Sequence, residues 1–240
     1  MRTLILAMLL PLAACGGLDD DDARNAIPPS GTGSARSYAA NGFTAIDLRG
    51  ADDVDVRVGS AFSVRAEGDS AVLDRLVIAR HGDALRIGRK SGFNWGSGKA
   101  KVYVTMPRIT AGSLAGSGDM AIDRIDGADF DGSLAGSGSL TIGSLAADDV
   151  EFSIAGSGNI VARGGKTQQF AVSIAGAGDV DARQVTASSA KVDIAGSGSV
   201  RALVDGPAKI SIMGSGDVDL GPKAKCETSK AGSGTVRCGG

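Results

Sequence analysis

The sequence predicts an all-β fold whose C-terminal half winds as a parallel β-solenoid, and three observations lead there. Glycine makes up 37 of the 240 residues, yet 42 % of the chain is apolar and glycine does not recur every third residue, so neither disorder nor collagen fits. The tetrad AGSG begins at Ala115, Ala135, Ala155, Ala195 and Ala231, and AGAG at Ala175 and MGSG at Met213 fill the series, giving a repeat of twenty and then eighteen residues. Aligned on the first glycine, the position two before it reads Leu114, Leu134, Ile154, Ile174, Ile194 and Ile212, ending on Lys230. The position four after it stays apolar from Met120 to Val236, and the position six after it from Ile122 to Cys238.

Alternation with period two, broken by Gly-x-Gly, means short strands and excludes helices. So short a repeat cannot enclose a core alone. Stacked at about 4.8 Å per coil, seven coils bury one continuous column roughly 34 Å long. Each Gly-Ser-Gly unit then marks a corner, where a missing Cβ permits positive φ or close approach of the next coil. A propeller would need about 40 residues per blade and aromatic signatures that are absent.

Taken in order from the N-terminus, Met1 and Arg2 precede an apolar stretch from Leu4 to Leu12, and Leu12-Ala13-Ala14-Cys15 follows at once. This resembles a bacterial lipoprotein signal, in which residues 1–14 are removed and Cys15 carries the lipid. An ordinary secretory signal is the alternative, and export follows from either. Gly16, where an aspartate would favour inner-membrane retention, points to the outer membrane, facing the periplasm or the surface. Residues 15–37 read as the lipidated cysteine and a flexible tether, with the acidic run Asp19 to Asp22, Pro28-Pro29 and little to bury. Four adjacent carboxylates on a mobile chain are a solvated stretch rather than a calcium site.

Residues 38–110 alternate as strands without the repeat: Thr44 to Leu48, Val54 to Val58, Ser63 to Ala66, Ala84 to Ile87 and Lys101 to Val104, with one helical turn within Asp69 to Leu76. The larger side chains, Trp95 and Tyr103 among them, gather here, as expected of a β-rich segment capping the N-terminal end of the solenoid rather than forming an independent domain. The solenoid repeats occupy residues 111–240.

The order Asn41-Gly42-Phe43-Thr44-Ala45-Ile46, a Val-rich strand, Leu85-Arg86-Ile87, then Val104-Thr105-Met106-Pro107 leading into GSLAGSGD resembles the bacterial head GIN domain family of auto-transporter adhesins. The likeness covers residues 38–240. It implies a right-handed β-helix on exported, often lipid-anchored proteins, and carries over no catalytic residue.

Chemistry is sparse. A net charge of −2 lacks the basic footprint of a nucleic-acid binder, and one His with three Cys argues against zinc. Cys226 and Cys238 flank Gly232 by six residues on inward columns; with Cys15 taken by lipid, they are expected to form a disulfide in an oxidising periplasm, reduced core thiols being the alternative. After the second glycine come Asp119, Ser139, Asn159, Asp179, Ser199, Asp217 and Thr235, three carboxylates in seven copies, which suits turn hydrogen bonding better than the calcium sites of nonapeptide β-rolls. Asp181, Arg201, Asp219 and Arg237 alternate in sign down one column, an expected surface ion-pair ladder.

No metal, cofactor or catalytic residue is assigned. β-Helical polysaccharide lyases and hydrolases need clustered carboxylates or a base together with aromatic subsites; Asp179, Asp181, Asp217 and Asp219 supply carboxylates, but His81 is isolated and aromatics make up 4 % of the chain. Phe93, Asn94 and Trp95, in a Gly-rich loop, are the candidate ligand contacts: an exposed Trp95 would stack on a sugar ring, a buried one would plug the cap. The expected function is a non-enzymatic, lipid-anchored envelope protein whose solenoid surface serves adhesion or structural contacts, its partners being the membrane and an envelope polysaccharide or surface protein. A polysaccharide-binding or carbohydrate-active protein on the same fold is the alternative. Assembly by end-to-end stacking of coils is disfavoured by Lys230, a charge at an apolar position of the last coil.

Overall fold

Rung after rung, in-register parallel pairing dominates the fold. A computed structural model describes residues 22, 24–90 and 98–239. The chain begins with β1 (Pro29–Ser30), β2 (Ala35–Tyr38), β3 (Ala45–Gly50), β4 (Asp53–Val58) and β5 (Ser63–Glu67). A single helical turn, α1 (Ser70–Leu73), leads to β6 (Leu76–His81), β7 (Ala84–Arg89), β8 (Lys101–Met106) and β9 (Ala111–Gly116). The repeats follow as β10 (Asp119–Gly136), β11 (Ser139–Gly156), β12 (Asn159–Ala162), β13 (Gly165–Gly176), β14 (Asp179–Gly196) and β15 (Ser199–Val204). The last strands are β16 (Pro207–Gly214), β17 (Asp217–Asp219), β18 (Lys225–Ala231) and β19 (Val236–Arg237). Together they make a β-solenoid of about 6 turns.

The twenty-residue spacing is the rung spacing. Met120 pairs with Leu140, Leu140 with Ile160 and Ile160 with Val180, and Leu134, Ile154, Ile174 and Ile194 stack likewise. All of these are buried, and they belong to one apolar cluster running from Tyr38 to Ala224, so the cap and the solenoid share a single core. Burial of each such aliphatic contributes about 1.5–3 kcal/mol. Where the inward position is Gly132, the ring of Phe152 on the next rung fills the space, and Phe130, Phe152 and Phe170 stack edge to face at centroid distances of 6.4 and 5.5 Å.

The corners need glycine for two separate reasons. Gly156, the first of its unit, sits at φ +129°, a conformation L side chains rarely adopt. Gly178, the second of its unit, faces the rung below, and a Cβ there would lie 2.5 Å from the Gly158 carbonyl oxygen and 2.6 Å from Ile154 Cγ2.

Two expectations are corrected. Residues 24–37 do not all behave as tether: β1 and β2 form a hairpin, β2 pairs antiparallel with β5, and Ile27 donates its N–H to Ile78 and packs against the core. Apart from Ile27 the segment buries few apolar side chains, because it adds to existing sheet edges through its backbone. The solenoid also begins before residue 111. β3 runs parallel to β9 with Leu48 beside Leu114 and Gly50 beside Gly116, and β4 pairs with β10 with Val54 beside Met120. β7 and β8 lie on the other side of this rung, parallel to β3 and β4. The chain therefore lays down the second rung first, loops out through β5 and β6, returns to make the terminal rung, and only then proceeds outward. β5 and β6, antiparallel to β8 and β7, cover the N-terminal end.

Candidate functional site

Alternation that sends three columns inward sends three others outward on the strand before each corner. Three residues before the first glycine stand Ser113, Ser133, Ser153 and Ser173, then Asp193, Ser211 and Ser229; one residue before it stand alanines, with Met213 as the exception. Pairing keeps each column in line, and Ser133 Oγ donates to Ser113 Oγ at 3.0 Å. The result is a long sheet face of small polar and methyl groups holding two shallow grooves of about 230 and 240 Å³, one against Ser113 to Ala175 and one against Lys191 to Ser229. Met213 on this face is 70 % exposed.

The outermost column, five residues before the glycine, carries charge: Asp131, Glu151, Ala171, Lys191, Lys209, Glu227. Asp131 lies beside Glu151 in register, and Lys191 beside Lys209. Partial withdrawal from water and then the Glu151 carboxylate push the Asp131 carboxyl above its ordinary value.

At the cap end of this face a buried ion network closes the sheet. Arg86 binds Asp22 at 2.8 Å and Asp47 at 2.9 Å, and Arg49 binds Asp47 at 3.2 Å. Burial works against the Arg86 charge, but hydrogen bonds to Asp47 and Asp22 outweigh it and hold its pKa above the ordinary value. Nearby, Asp52 takes the place of a corner's second glycine. Fully buried, it pairs with Arg89 and accepts the Ala100 N–H at 2.7 Å, and the hydrogen bonds that Arg89 donates to Asp52 raise the Arg89 pKa. Arg89 also donates to the Gly98 carbonyl at 2.8 Å. Sequence patterning did not mark these residues, although aligning Leu48-Arg49-Gly50-Ala51-Asp52-Asp53-Val54 with Leu114 to Met120 exposes the rung and its two charged departures, Arg49 for alanine and Asp52 for glycine.

The carboxylates after the corners bond to the following rung rather than within turns. Asp53 accepts the Asp119 N–H at 3.1 Å, Asp119 the Ser139 N–H at 3.1 Å, Asp179 the Ser199 N–H at 2.9 Å and Asp217 the Thr235 N–H at 2.9 Å. Hydrogen bonds from the Thr235 hydroxyl and amide hold Asp217 below the usual carboxylate range. Among the described residues no group of three or more His, Cys, Asp or Glu is arranged to hold a metal ion. The alternating column is in register as expected, Asp181 beside Arg201 and Arg201 beside Asp219, but Asp181 makes its close ion pair with Arg183 of its own strand at 2.6 Å. That pair lowers the Asp181 pKa.

Cys226 and Cys238 are disulfide-bonded with Cα atoms 6.2 Å apart, both packed against the end of the core. Lys230, at the apolar position, turns its Nζ to the Gly234 carbonyl at 2.7 Å. His81 ends β6 and is exposed. Cys15 and the candidate ligand contacts Phe93, Asn94 and Trp95 lie outside the described residues. No helix among the described residues is long and apolar enough to cross a membrane.

Residues 42–224 match the model of a protein family described as "Putative auto-transporter adhesin, head GIN domain". No curated protein matches the chain. Among solved structures, a "putative adhesin" of Bacteroides fragilis superposes with a TM-score of 0.78 at 21 % identity over 88 % of this chain and 98 % of that one. A "putative adhesin" of Parabacteroides merdae gives 0.67 at 20 % identity over 87 % and 97 %. A "putative lipid binding protein" of Parabacteroides distasonis gives 0.61 at 21 % identity over 88 % and 98 %. At these identities the likeness concerns the fold.

Proposed function

The chain belongs to the head GIN domain family, and on that premise we propose that it is an exported, lipid-anchored envelope protein that makes adhesive contacts through the long polar face of its solenoid. The observation that carries this reading is the face itself: successive rungs in register repeat one small, hydrogen-bonding surface, suited to an extended partner rather than to a substrate enclosed in a cleft. Polar side chains on a rigid sheet lose little conformational freedom on contact, so many weak hydrogen bonds add up along the length.

The Leu12-Ala13-Ala14-Cys15 sequence supports the anchor. Because Asp22 is buried against Arg86, only residues 16–21 separate Cys15 from the folded body, a reach of at most about 25 Å. The cap end would stand next to the membrane and the disulfide-closed end away from it. Labelled palmitate should enter the wild-type protein and not Cys15→Ser; incorporation into the variant would refute the anchor. For the face, Ser133→Arg with Ser173→Arg should abolish retention of envelope fragments on immobilised protein while leaving the melting temperature unchanged. Undiminished retention would refute the assignment of contacts to this surface.

A further inference from the structure

The charged column on the serine–alanine face sets like charges side by side at two of its steps, and its one oppositely charged step is Lys209 beside Glu227. Asp131 and Glu151 are neighbours, Lys191 and Lys209 are neighbours, and Ala171 separates the two pairs. Like charges side by side across a ladder destabilise it, whereas alternation would help, as in the column Asp181, Arg201, Asp219. Among the described residues Asp131, Glu151 and Lys209 make no ion pair within the chain, and the Lys191 pair with Asp193 at 3.0 Å is exposed and free to exchange.

We propose that this face pairs with the same face of a second copy, the two solenoids running antiparallel about a twofold axis that lies along the strands through the Ala171 rung. Such an axis keeps each column opposite itself and reverses the order of rungs. Glu151 then meets Lys191 of the other copy, Asp131 meets Lys209, and both contacts occur twice. One axis position satisfies all four, and it falls on the middle of the seven rungs from Ala111 to Glu227, leaving the β3 and β7 rungs of the cap to overhang the end of the other copy. Along the adjacent columns Ser173 and Ala175 meet themselves and Ala155 meets Ala195, small groups that let two sheets approach closely. Met213, exposed in one chain, is set opposite Ala135. Seven rungs of about 4.8 Å by a six-residue strand of about 20 Å give each copy a footprint near 680 Å², or about 1,360 Å² for the pair, within the range of specific interfaces.

Antiparallel pairing puts the two N-terminal caps at opposite ends, so, resting on the anchor reading above, the pair would bridge two facing membranes: the adhesive partner is the same protein on the neighbouring cell.

The test is sedimentation of the full chain in detergent, as wild type, Glu151→Lys, Lys191→Glu and an equimolar mixture of the two variants. Wild type should dimerise. Each variant alone sets like charges opposite each other and should bind itself at least about tenfold more weakly. The mixture should recover wild-type affinity, because each position 151 again faces an opposite charge at position 191; that recovery also shows that both variants are folded. Monomeric wild type, undiminished variants or a mixture no tighter than its components would overturn the proposal. For direction, a short bismaleimide should link Ser173→Cys to itself and Ala115→Cys to Ala231→Cys but not to itself; self-linkage at residue 115 would overturn the antiparallel order. Cys15→Ser should dimerise like wild type in detergent, so failure of the anchor leaves the pairing standing, and failure of the pairing leaves palmitate labelling untouched.

Discussion

Replacing Gly156 with alanine adds one methyl group at a place where the stack has no room for it. The residue sits at φ +129°, and the new Cβ would overlap the Gly136 carbonyl oxygen and lie 3.2 Å from the Gly136 carbonyl carbon and nitrogen. Holding a non-glycine residue in that conformation costs about 1–3 kcal/mol. Pushing the rungs apart costs about 1–3 kcal/mol more, as overpacking generally does. The separation also stretches the Ser157 N–H bond to the Gly136 carbonyl, now 2.9 Å, worth about 1 kcal/mol. The total is roughly 3–7 kcal/mol, and at about 2–4 °C per kcal/mol for a chain of this size the melting temperature should fall by about 6–28 °C. Gly127→Ala is the control: its Cβ would meet nothing within 4 Å, so the melt should move by no more than about 0.5 kcal/mol equivalent, or rise slightly. Scanning calorimetry or far-UV circular dichroism reads both. Coincident melts for the two variants would refute the claim that contact between successive corners excludes a side chain.

Other perturbations test separate parts of the structure. Asp52→Ala strips the buried Arg89 and the Ala100 N–H of their partner and should destabilise by about 3–5 kcal/mol in urea unfolding; a loss below 1 kcal/mol would mean the pair is dispensable. Cys226→Ser with Cys238→Ser, opening a bridge across 12 residues, should cost about 3 kcal/mol and speed amide exchange in β18 and β19 first; uniform acceleration along the chain would refute a local role for the bridge. Asp217 has a folded pKa below the ordinary 3.8, so its contribution is present above that value and is lost as the pH falls from 3.8 through the lowered folded pKa. Asp217→Asn should therefore flatten the acid limb of the melting curve, and an acid limb identical to wild type would rule the contribution out.

The inward columns could be read from the sequence because each rung buries its own residues: the aliphatics from Leu114 to Ile212 and from Met120 to Val218 repeat at the rung spacing, and glycine recurs wherever two rungs touch. The disulfide was legible for the same reason, since Cys226 and Cys238 occupy two further inward columns, those of Phe130 and of Ile122. The rung made by β3 and β4 was harder to see, because Arg49 replaces alanine and Asp52 replaces glycine, and its neighbours come from chain segments far away in sequence. The N-terminal strands escaped notice because β1 and β2 are held by backbone pairing, which leaves no apolar pattern.

The sequence by itself determined the repeat, the direction in which each aliphatic points and the coil that carries Lys230 and the disulfide. Those are local properties, written within one coil or between one coil and the next. Only the tertiary structure decided that the second rung is laid down before the first, that Asp22 fastens to Arg86, and that the carboxylates at the corners bond to the following rung. These depend on which segments become neighbours once the core has formed, and apolar burial, which has no direction of its own, leaves that choice to backbone pairing and to the charges that must find partners as water is excluded.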